Sequence, residues 1–125
     1  MRGTVLIVDD STMMRKLVLR MLTLAGLHFE RVLEAANGSE GLELLKLNTV
    51  DLVMCDITMP VMNGLEMLRN VQELGLARNV PVVMVTTEGC AEHVLKALAL
   101  GATAFVRKPF TADEVKQKVV PLLAA

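Results

Sequence analysis

Short, continuously apolar segments alternate along the chain with longer segments in which apolar residues recur every three or four positions. The short segments are rich in β-branched residues and lack polar alternation, which is typical of strands buried on both faces of a parallel sheet. The longer segments have the spacing of helices that bury one face. The pattern predicts five strands, at residues 5–8, 31–35, 51–56, 80–86 and 104–107.

Polar and small residues mark the ends of the helices that follow the predicted strands. Ser11 or Thr12 can cap the first helix, and Gly26 can end it. An asparagine or threonine followed three residues later by glutamate predicts capping boxes at Asn37, Asn63 and Thr111. The middle helices are expected at about residues 37–46, 63–74 and 91–100. The last helix should kink or fray near Pro121, because proline removes an intrahelical donor.

Five strand–helix units in this order predict an α/β fold, with a five-stranded parallel sheet, right-handed crossovers and helices on both faces. The length of 125 residues suits one domain spanning residues 1–125. A hydrophobic fraction of 53% with 22% charged residues indicates a well-filled core rather than a disordered chain.

The charge balance and the residue types argue against several functions. A net charge of −1 does not provide the clustered positive field that binding to nucleic acid or acidic membranes requires. Trp and Tyr are absent, so base-stacking surfaces are not expected. Cys55 and Cys90 have no CxxC spacing and are interpreted as reduced thiols. Without a signal pattern or an apolar stretch of membrane-spanning length, the expected location is the cytoplasm.

Polar side chains stand at the carboxyl ends of the predicted strands, where open α/β sheets bind ligands. These residues are Asp9, Asp10, Asp56, Thr86, Thr87 and Lys108. Three converging carboxylates repel one another unless a cation joins them, and oxygen ligands without His or Cys favour Mg²⁺ over zinc. With an ammonium and a hydroxyl beside them, such carboxylates can hold a phosphoryl group, and one of them can be its covalent acceptor.

Four short motifs at these strand ends resemble the receiver domain of bacterial response regulators. They are Val-Asp-Asp at 8–10, Asp-Ile-Thr-Met-Pro at 56–60 with Asn-Gly at 63–64, Val-Thr at 85–86, and Lys-Pro-Phe at 108–110. Together they span nearly the whole chain in the family's order. The resemblance implies a flavodoxin-like (βα)5 fold with strand order 2-1-3-4-5, an order known for chemotaxis regulators.

The resemblance also implies a phosphoacceptor and a metal site. Asp56 would accept a phosphoryl group from a histidine kinase or phosphotransfer protein. Mg²⁺, or Mn²⁺ in its place, would be bound directly by Asp10, by Asp9 mainly through water, by Asp56, and by the backbone carbonyl of Thr58. The domain would phosphorylate and dephosphorylate only itself, so it is not expected to be a conventional enzyme.

A switch is implied around the acceptor. Lys108 would pair with the phosphoryl oxygens, Thr86 would swing toward them, and Phe105 would turn inward behind it. This movement would reshape the face of the fourth helix, fifth strand and fifth helix, which binds an output protein or domain. The Lys108–Pro109 bond is a candidate cis peptide, since proline lowers the cost of that isomer.

Three positions near the acceptor depart from the family pattern or tune its chemistry. The family usually has a small residue after the switch threonine, and the bulk of Thr87 would narrow access to the phosphoryl group. Thr58 and Glu88 occupy the positions that tune dephosphorylation. The sequence does not fix whether Glu88 orients or repels the attacking water.

Alternative interpretations remain at this point. The chain is either a stand-alone switch or a receiver fragment of a larger multidomain regulator or hybrid kinase. DNA binding is not indicated, because the sequence contains no basic recognition helix. A flavin-binding electron carrier is disfavoured because the first strand lacks a Ser/Thr/Gly-rich phosphate loop. A haloacid-dehalogenase-type phosphatase is disfavoured because Asp9 and Asp10 are adjacent rather than spaced as DxD.

Overall fold

A computed structural model of the chain describes residues 3–87 and 91–123. Five strands form one parallel sheet: β1 Thr4–Val8, β2 Arg31–Ala35, β3 Leu52–Asp56, β4 Val82–Thr86 and β5 Ala104–Arg107. The helices are α1 Thr12–Leu24, α2 Gly38–Leu47, α3 Gly64–Glu73, α4 Ala91–Ala99, α5 Ala112–Lys118 and α6 Val120–Leu123. The strand order is β2-β1-β3-β4-β5, and every neighbouring pair is parallel, as predicted.

Two apolar cores lie on opposite faces of the sheet, which explains the continuously apolar strands. Alternate residues of β1 point to opposite sides, so Leu6 and Val8 belong to one core while Val5 and Ile7 belong to the other. The first core is closed by α2, α3 and α4, and the second by α1 and α5. Strands β1, β3 and β4 are buried along their whole length.

Helix ends follow the predicted capping residues, but of the three capping boxes expected only the one at Asn63 is complete. The Asn63 side chain accepts the backbone N–H of Glu66, and the Glu66 carboxylate accepts the N–H of Asn63, which completes a capping box. At α2, Asn37 accepts the N–H of Glu40, but the Glu40 carboxylate accepts the N–H of Ala36, one residue earlier than a capping box requires. The Thr111 hydroxyl accepts the N–H of Glu114 at 3.2 Å.

One strand boundary differs from the prediction, whereas the expected break in the last helix is found. Strand β4 begins at Val82, two residues later than predicted, because the N–H of Val80 bonds to the Ala77 carbonyl in a turn and Pro81 has no N–H. The last helix ends at Lys118 and a short helical turn follows from Val120, in agreement with the break expected near Pro121. No helix in the described part of the chain is both long and apolar enough to span a bilayer.

Candidate functional site

Strand register brings Asp9 and Asp56 to the same edge of the sheet. Val8 of β1 is paired with Cys55 of β3, so the residues that follow them, Asp9 and Asp56, are level with each other. Asp56 is in turn paired with Val85 of β4. The carboxyl ends of the three central strands therefore converge, as the sequence predicted.

Three carboxylates meet at this edge. One carboxylate oxygen from each of Asp9, Asp10 and Asp56 lies within 4.8 Å of the others. Asp9 and Asp56 are 3% and 7% exposed, whereas Asp10 faces solvent. The cluster is thus buried on one side and open on the other, where a small ligand can approach.

Lys108 supplies a positive charge to the two buried carboxylates. It follows β5, and its backbone N–H donates to the Thr86 carbonyl at 2.6 Å, which fixes it beside the end of β4. Its ammonium donates to Oδ2 of Asp9 at 3.0 Å and lies 3.5 Å from Oδ2 of Asp56. The peptide bond between Lys108 and Pro109 is cis.

The electrostatic balance at Asp56 is unfavourable to its charge. Burial raises the pKa of the Asp56 carboxyl above its ordinary value; Lys108 lowers it, and Asp9 raises it again. The neighbouring Cys55 is buried, which together with the nearby carboxylates raises the pKa of its thiol well above the usual range. The thiol therefore stays protonated and behaves as a core side chain.

The donor set suits a hard divalent cation. When ionised, three carboxylates beside one ammonium carry a formal excess of two negative charges. All the convergent ligands are oxygens, which favours Mg²⁺ or a similar ion over zinc. Because Asp10 is exposed, the cluster keeps an open side where waters can complete the coordination of such an ion.

A close approach of α3 to the end of β3 shapes the back of the site. The N–H of Gly64 donates to the Ile57 carbonyl at 2.8 Å, and a Cβ at Gly64 would collide with the backbone carbonyl oxygen of Asp56. Only glycine permits this contact. Gly64 belongs to one of the motifs found in the sequence, but the motif alone did not predict the close contact with the Asp56 carbonyl that requires a glycine.

Arg15 of α1 is a residue near the site that the sequence analysis missed. Its guanidinium donates to the backbone carbonyl of Asp9 at 2.6 Å, to the Thr12 hydroxyl at 3.1 Å and to Oε1 of Glu34 at 2.9 Å. In the helical pattern, Arg15 is only a polar position between apolar ones. Its three-residue spacing from Thr12 is the sole sequence signal, and it does not reveal the partners on other elements.

The remaining predicted site residues that the structure describes differ in how deeply they are buried. Thr86 is buried at the end of β4, while Thr58 and Thr87 are exposed. Phe105 is half-buried against the first core, and the Lys118 ammonium lies 5.0 Å from the centre of its ring. Glu88 lies outside the described residues.

The doubly wound sheet, with a buried aspartate flanked by two carboxylates and a lysine at its switch-point edge, defines a class of phosphoacceptor signalling domains. The family described as response regulator receiver domain matches residues 5–120, and the chain belongs to that family. Receiver domains are phosphoacceptor switches of two-component signalling rather than classical enzymes, and they bind Mg²⁺ at an acidic pocket.

Relatives and solved structures agree with this membership. The chain is 38% identical over 119 residues to chemotaxis protein CheY1 of Helicobacter pylori, covering 94% of each chain. It is similar in structure to chemotaxis protein CheY4 of Vibrio cholerae, with a TM-score of 0.85, 32% identity, and coverage of 98% and 100%. A CheY from Borrelia burgdorferi, solved as a complex with CheX, BeF3 and Mg²⁺, has a TM-score of 0.84, 33% identity, and coverage of 98% and 90%.

Proposed function

We propose that this chain is a single receiver domain over residues 1–125 in which Asp56 accepts a phosphoryl group from a histidine kinase or phosphotransfer protein. The observation that carries the proposal is the position of the Asp56 carboxylate. It is the last residue of β3, it lies 3.5 Å from the Lys108 ammonium, and it is clustered with two further carboxylates. Asp10 is exposed, and both carboxylate oxygens of Asp9 already accept hydrogen bonds, from Ser11 and Lys108. Asp56 is buried and lies next to the Lys108 ammonium, which makes it the best placed of the three to accept a phosphoryl group.

The transfer itself is a displacement at phosphorus. An ionised oxygen of Asp56 attacks, the bond from phosphorus to the donor's nitrogen or oxygen breaks, and the leaving group departs with that electron pair. Lys108 lies within reach of Asp56 and offsets the negative charge of the phosphoryl oxygens. Because burial raises the pKa of Asp56, reaction should slow in mild acid, where more of this carboxyl is protonated.

The metal site of the proposal consists of Asp9, Asp10, Asp56 and the backbone carbonyl of Thr58. Bound Mg²⁺, or Mn²⁺, supplies the positive charge that lets the carboxylates and a phosphoryl group share one site. Asp9 is anchored through both carboxylate oxygens, by Lys108 and by the N–H of Ser11, which favours a water-mediated role for it. The Borrelia relative solved with Mg²⁺ and BeF3 supports the same chemistry here.

Phosphorylation is proposed to act through Thr86 and Phe105 on the α4–β5–α5 face. Phe105 is only half-buried and packs against the same core as Ala97 of α4. On α4, Leu95 and Leu98 are 66% and 43% exposed. Exposed leucines on a helix suit contact with a protein partner. The chemotaxis names of the relatives favour a chemotaxis output, and these partners would place the chain in the cytoplasm.

Self-phosphorylation and slow self-hydrolysis complete the proposal. Small phosphodonors reach Asp56 without a kinase, and water then removes the phosphoryl group. The side chains proposed to set these rates are those of Thr87, which would narrow the approach to the phosphoryl group, and of Thr58 and Glu88, which occupy the positions that tune dephosphorylation in the family. Thr58 and Thr87 are exposed, so each can contact solvent that enters the site.

The test is to incubate the protein with Mg²⁺ and acetyl phosphate and to measure the intact mass, with Asp56→Asn as the matched control. Circular dichroism of both proteins verifies that the fold is unchanged. We expect a labile phosphoryl adduct on the wild type and none on the variant. An adduct on both proteins would show that the phosphoryl acceptor is a residue other than Asp56. No adduct on a folded wild type would contradict the proposal.

A further inference from the structure

We propose that Arg15 is a positioning residue that orients Asp10 toward the bound divalent cation by clamping the Asp9–Asp10 peptide. The proposal rests on the Mg²⁺ site proposed above. Arg15 is not one of the ligands, and no ligand motif includes it. Its side chain is 14% exposed, so the guanidinium is held inside the structure rather than solvated at the surface.

The first step of the argument is the contrast between the two adjacent aspartates. Asp9 is held at four points: its N–H bonds to the Ala35 carbonyl, its carbonyl to Arg15, and its two carboxylate oxygens to Ser11 and Lys108. The Asp10 carboxylate is exposed and has no hydrogen-bonding or ion-pair partner within residues 3–87 and 91–123. Its direction therefore depends on its backbone.

The second step is what a hydrogen bond to the Asp9 carbonyl controls. That oxygen belongs to the planar peptide unit that also contains the N–H and Cα of Asp10. Fixing the oxygen at 2.6 Å from Nη1 of Arg15 fixes the rotation of this plane, and with it the point from which the Asp10 side chain starts. Charge-assisted bonds of this kind are about twice as strong as neutral ones.

The third step is the orientation of Arg15 itself. The guanidinium presents several donors in a rigid plane, so contacts with three acceptors leave it little freedom. Glu34 of β2 binds Nε at 2.9 Å and Thr12 binds Nη2 at 3.1 Å. The contacts of Arg15 thus hold α1, the end of β2 and the loop after β1 together next to the metal ligands.

Charge and geometry make opposite predictions, which allows a sharp test. A positive side chain next to a cation site repels the cation. If Arg15 acted only through its charge, removing it would therefore strengthen Mg²⁺ binding. If Arg15 instead orients a metal ligand, removing it would weaken Mg²⁺ binding, as is general for residues that hydrogen-bond to and support metal ligands. The sign of the change in Mg²⁺ affinity therefore distinguishes the two roles.

The experiment measures the Mg²⁺ dissociation constant by calorimetry on the full chain, since the absence of Trp and Tyr leaves no strong intrinsic fluorophore. The variants are Arg15→Met and Arg15→Lys, the second keeping the charge but losing the planar fork. Arg20→Met is the control, because Arg20 is an exposed cation on the same helix. Melting curves without Mg²⁺ set a titration temperature at which every variant is folded.

We expect Arg15→Met and Arg15→Lys to weaken Mg²⁺ binding by about tenfold, the lower range for lost support of a metal ligand. Arg20→Met should leave the affinity unchanged or slightly increase it. Unchanged or tighter binding by Arg15→Met or Arg15→Lys would overturn the proposal, and so would an equal loss in Arg20→Met. Asp10→Asn is the benchmark: if it binds Mg²⁺ as the wild type does, or the wild type does not bind, the metal site itself is wrong and not only the clamp.

Discussion

Replacing Asp56 by asparagine should stabilise the metal-free protein at neutral pH, and the size of the effect can be worked from the site. At an effective dielectric constant of about 20, the attraction of Lys108 at 3.5 Å favours the Asp56 charge by about 4.7 kcal/mol. Repulsion from Asp9 at up to 4.8 Å opposes it by at least about 3.5 kcal/mol, and the exposed Asp10 adds about 1 kcal/mol after screening by water. The pairwise terms nearly cancel.

Burial then decides the sign of the effect. Moving a carboxylate out of water costs several kcal/mol when the group is fully buried, and the Asp56 side chain is 9% exposed. Lys108 keeps Asp9 as a partner in the variant, so no cation is left alone. We therefore expect Asp56→Asn to raise the free energy of unfolding by about 1–2 kcal/mol and the melting temperature by about 4–8 °C.

The pH dependence gives the prediction a second, independent check. Because the folded-state pKa of Asp56 is raised, the group favours folding when protonated, and this contribution is lost as pH rises through that pKa. The advantage of asparagine should be small at about pH 4 and reach its full size above the folded-state pKa of Asp56.

The assay is urea denaturation followed by circular dichroism from acid to pH 8, with EDTA and again with Mg²⁺. Glu30→Gln is the control, since it removes one negative charge from an exposed side chain at the opposite edge of the sheet. Mg²⁺ should stabilise the wild type more than Asp56→Asn, because binding to the folded state adds stability by mass action. A variant less stable than the wild type at pH 8 without metal would refute the reasoning, since the Lys108 attraction would then outweigh burial.

Three further substitutions test neighbouring parts of the site. Gly64→Ala should cost about 2–3 kcal/mol in urea denaturation, because its Cβ collides with the Asp56 carbonyl; an unchanged midpoint would contradict the close packing. Lys108→Met should raise the pKa of the Asp56 carboxyl further, as followed by carbon-detected NMR titration, and slow labelling by acetyl phosphate; a lower pKa would oppose the assigned charge balance. Thr87→Ala should speed labelling by acetyl phosphate with stability changed by less than about 0.5 kcal/mol, whereas an equal rate would remove Thr87 as a barrier.

The sequence predicted the sheet and the meeting of its polar residues because both follow from simple periodicities. Continuously apolar segments identified the buried strands, and parallel strands necessarily bring Asp9, Asp56 and Lys108 to one edge. It misplaced the start of β4, since the turn at Ala77 and Asn79 uses left-handed backbone that ordinary residues adopt only in context, with φ of 48° and 64°.

The contacts of long side chains were beyond the reach of the sequence pattern. Arg15 finds Glu34 only because β2 lies beside β1, and no spacing along α1 encodes that neighbour. Gly64 is required because of the distance between α3 and the end of β3, a property of the packed structure. Helical and strand periodicity specify which face of an element is buried, whereas the site depends on which elements are adjacent there.

The resting contacts of Lys108 indicate where a conformational response can arise. The ammonium group of Lys108 has three N–H donors. Its contacts with Asp9 and Asp56 use at most two of them. A phosphoryl oxygen on Asp56 can therefore engage the third donor without breaking the pair with Asp9, which is itself held by Ser11 and Arg15. The centre of the site then needs little rearrangement, because Asp9 is buried and held by hydrogen bonds at four points. Movement is left to the periphery, where Phe105 is half-buried and α4 exposes leucines, and this is the face proposed to bind the output partner.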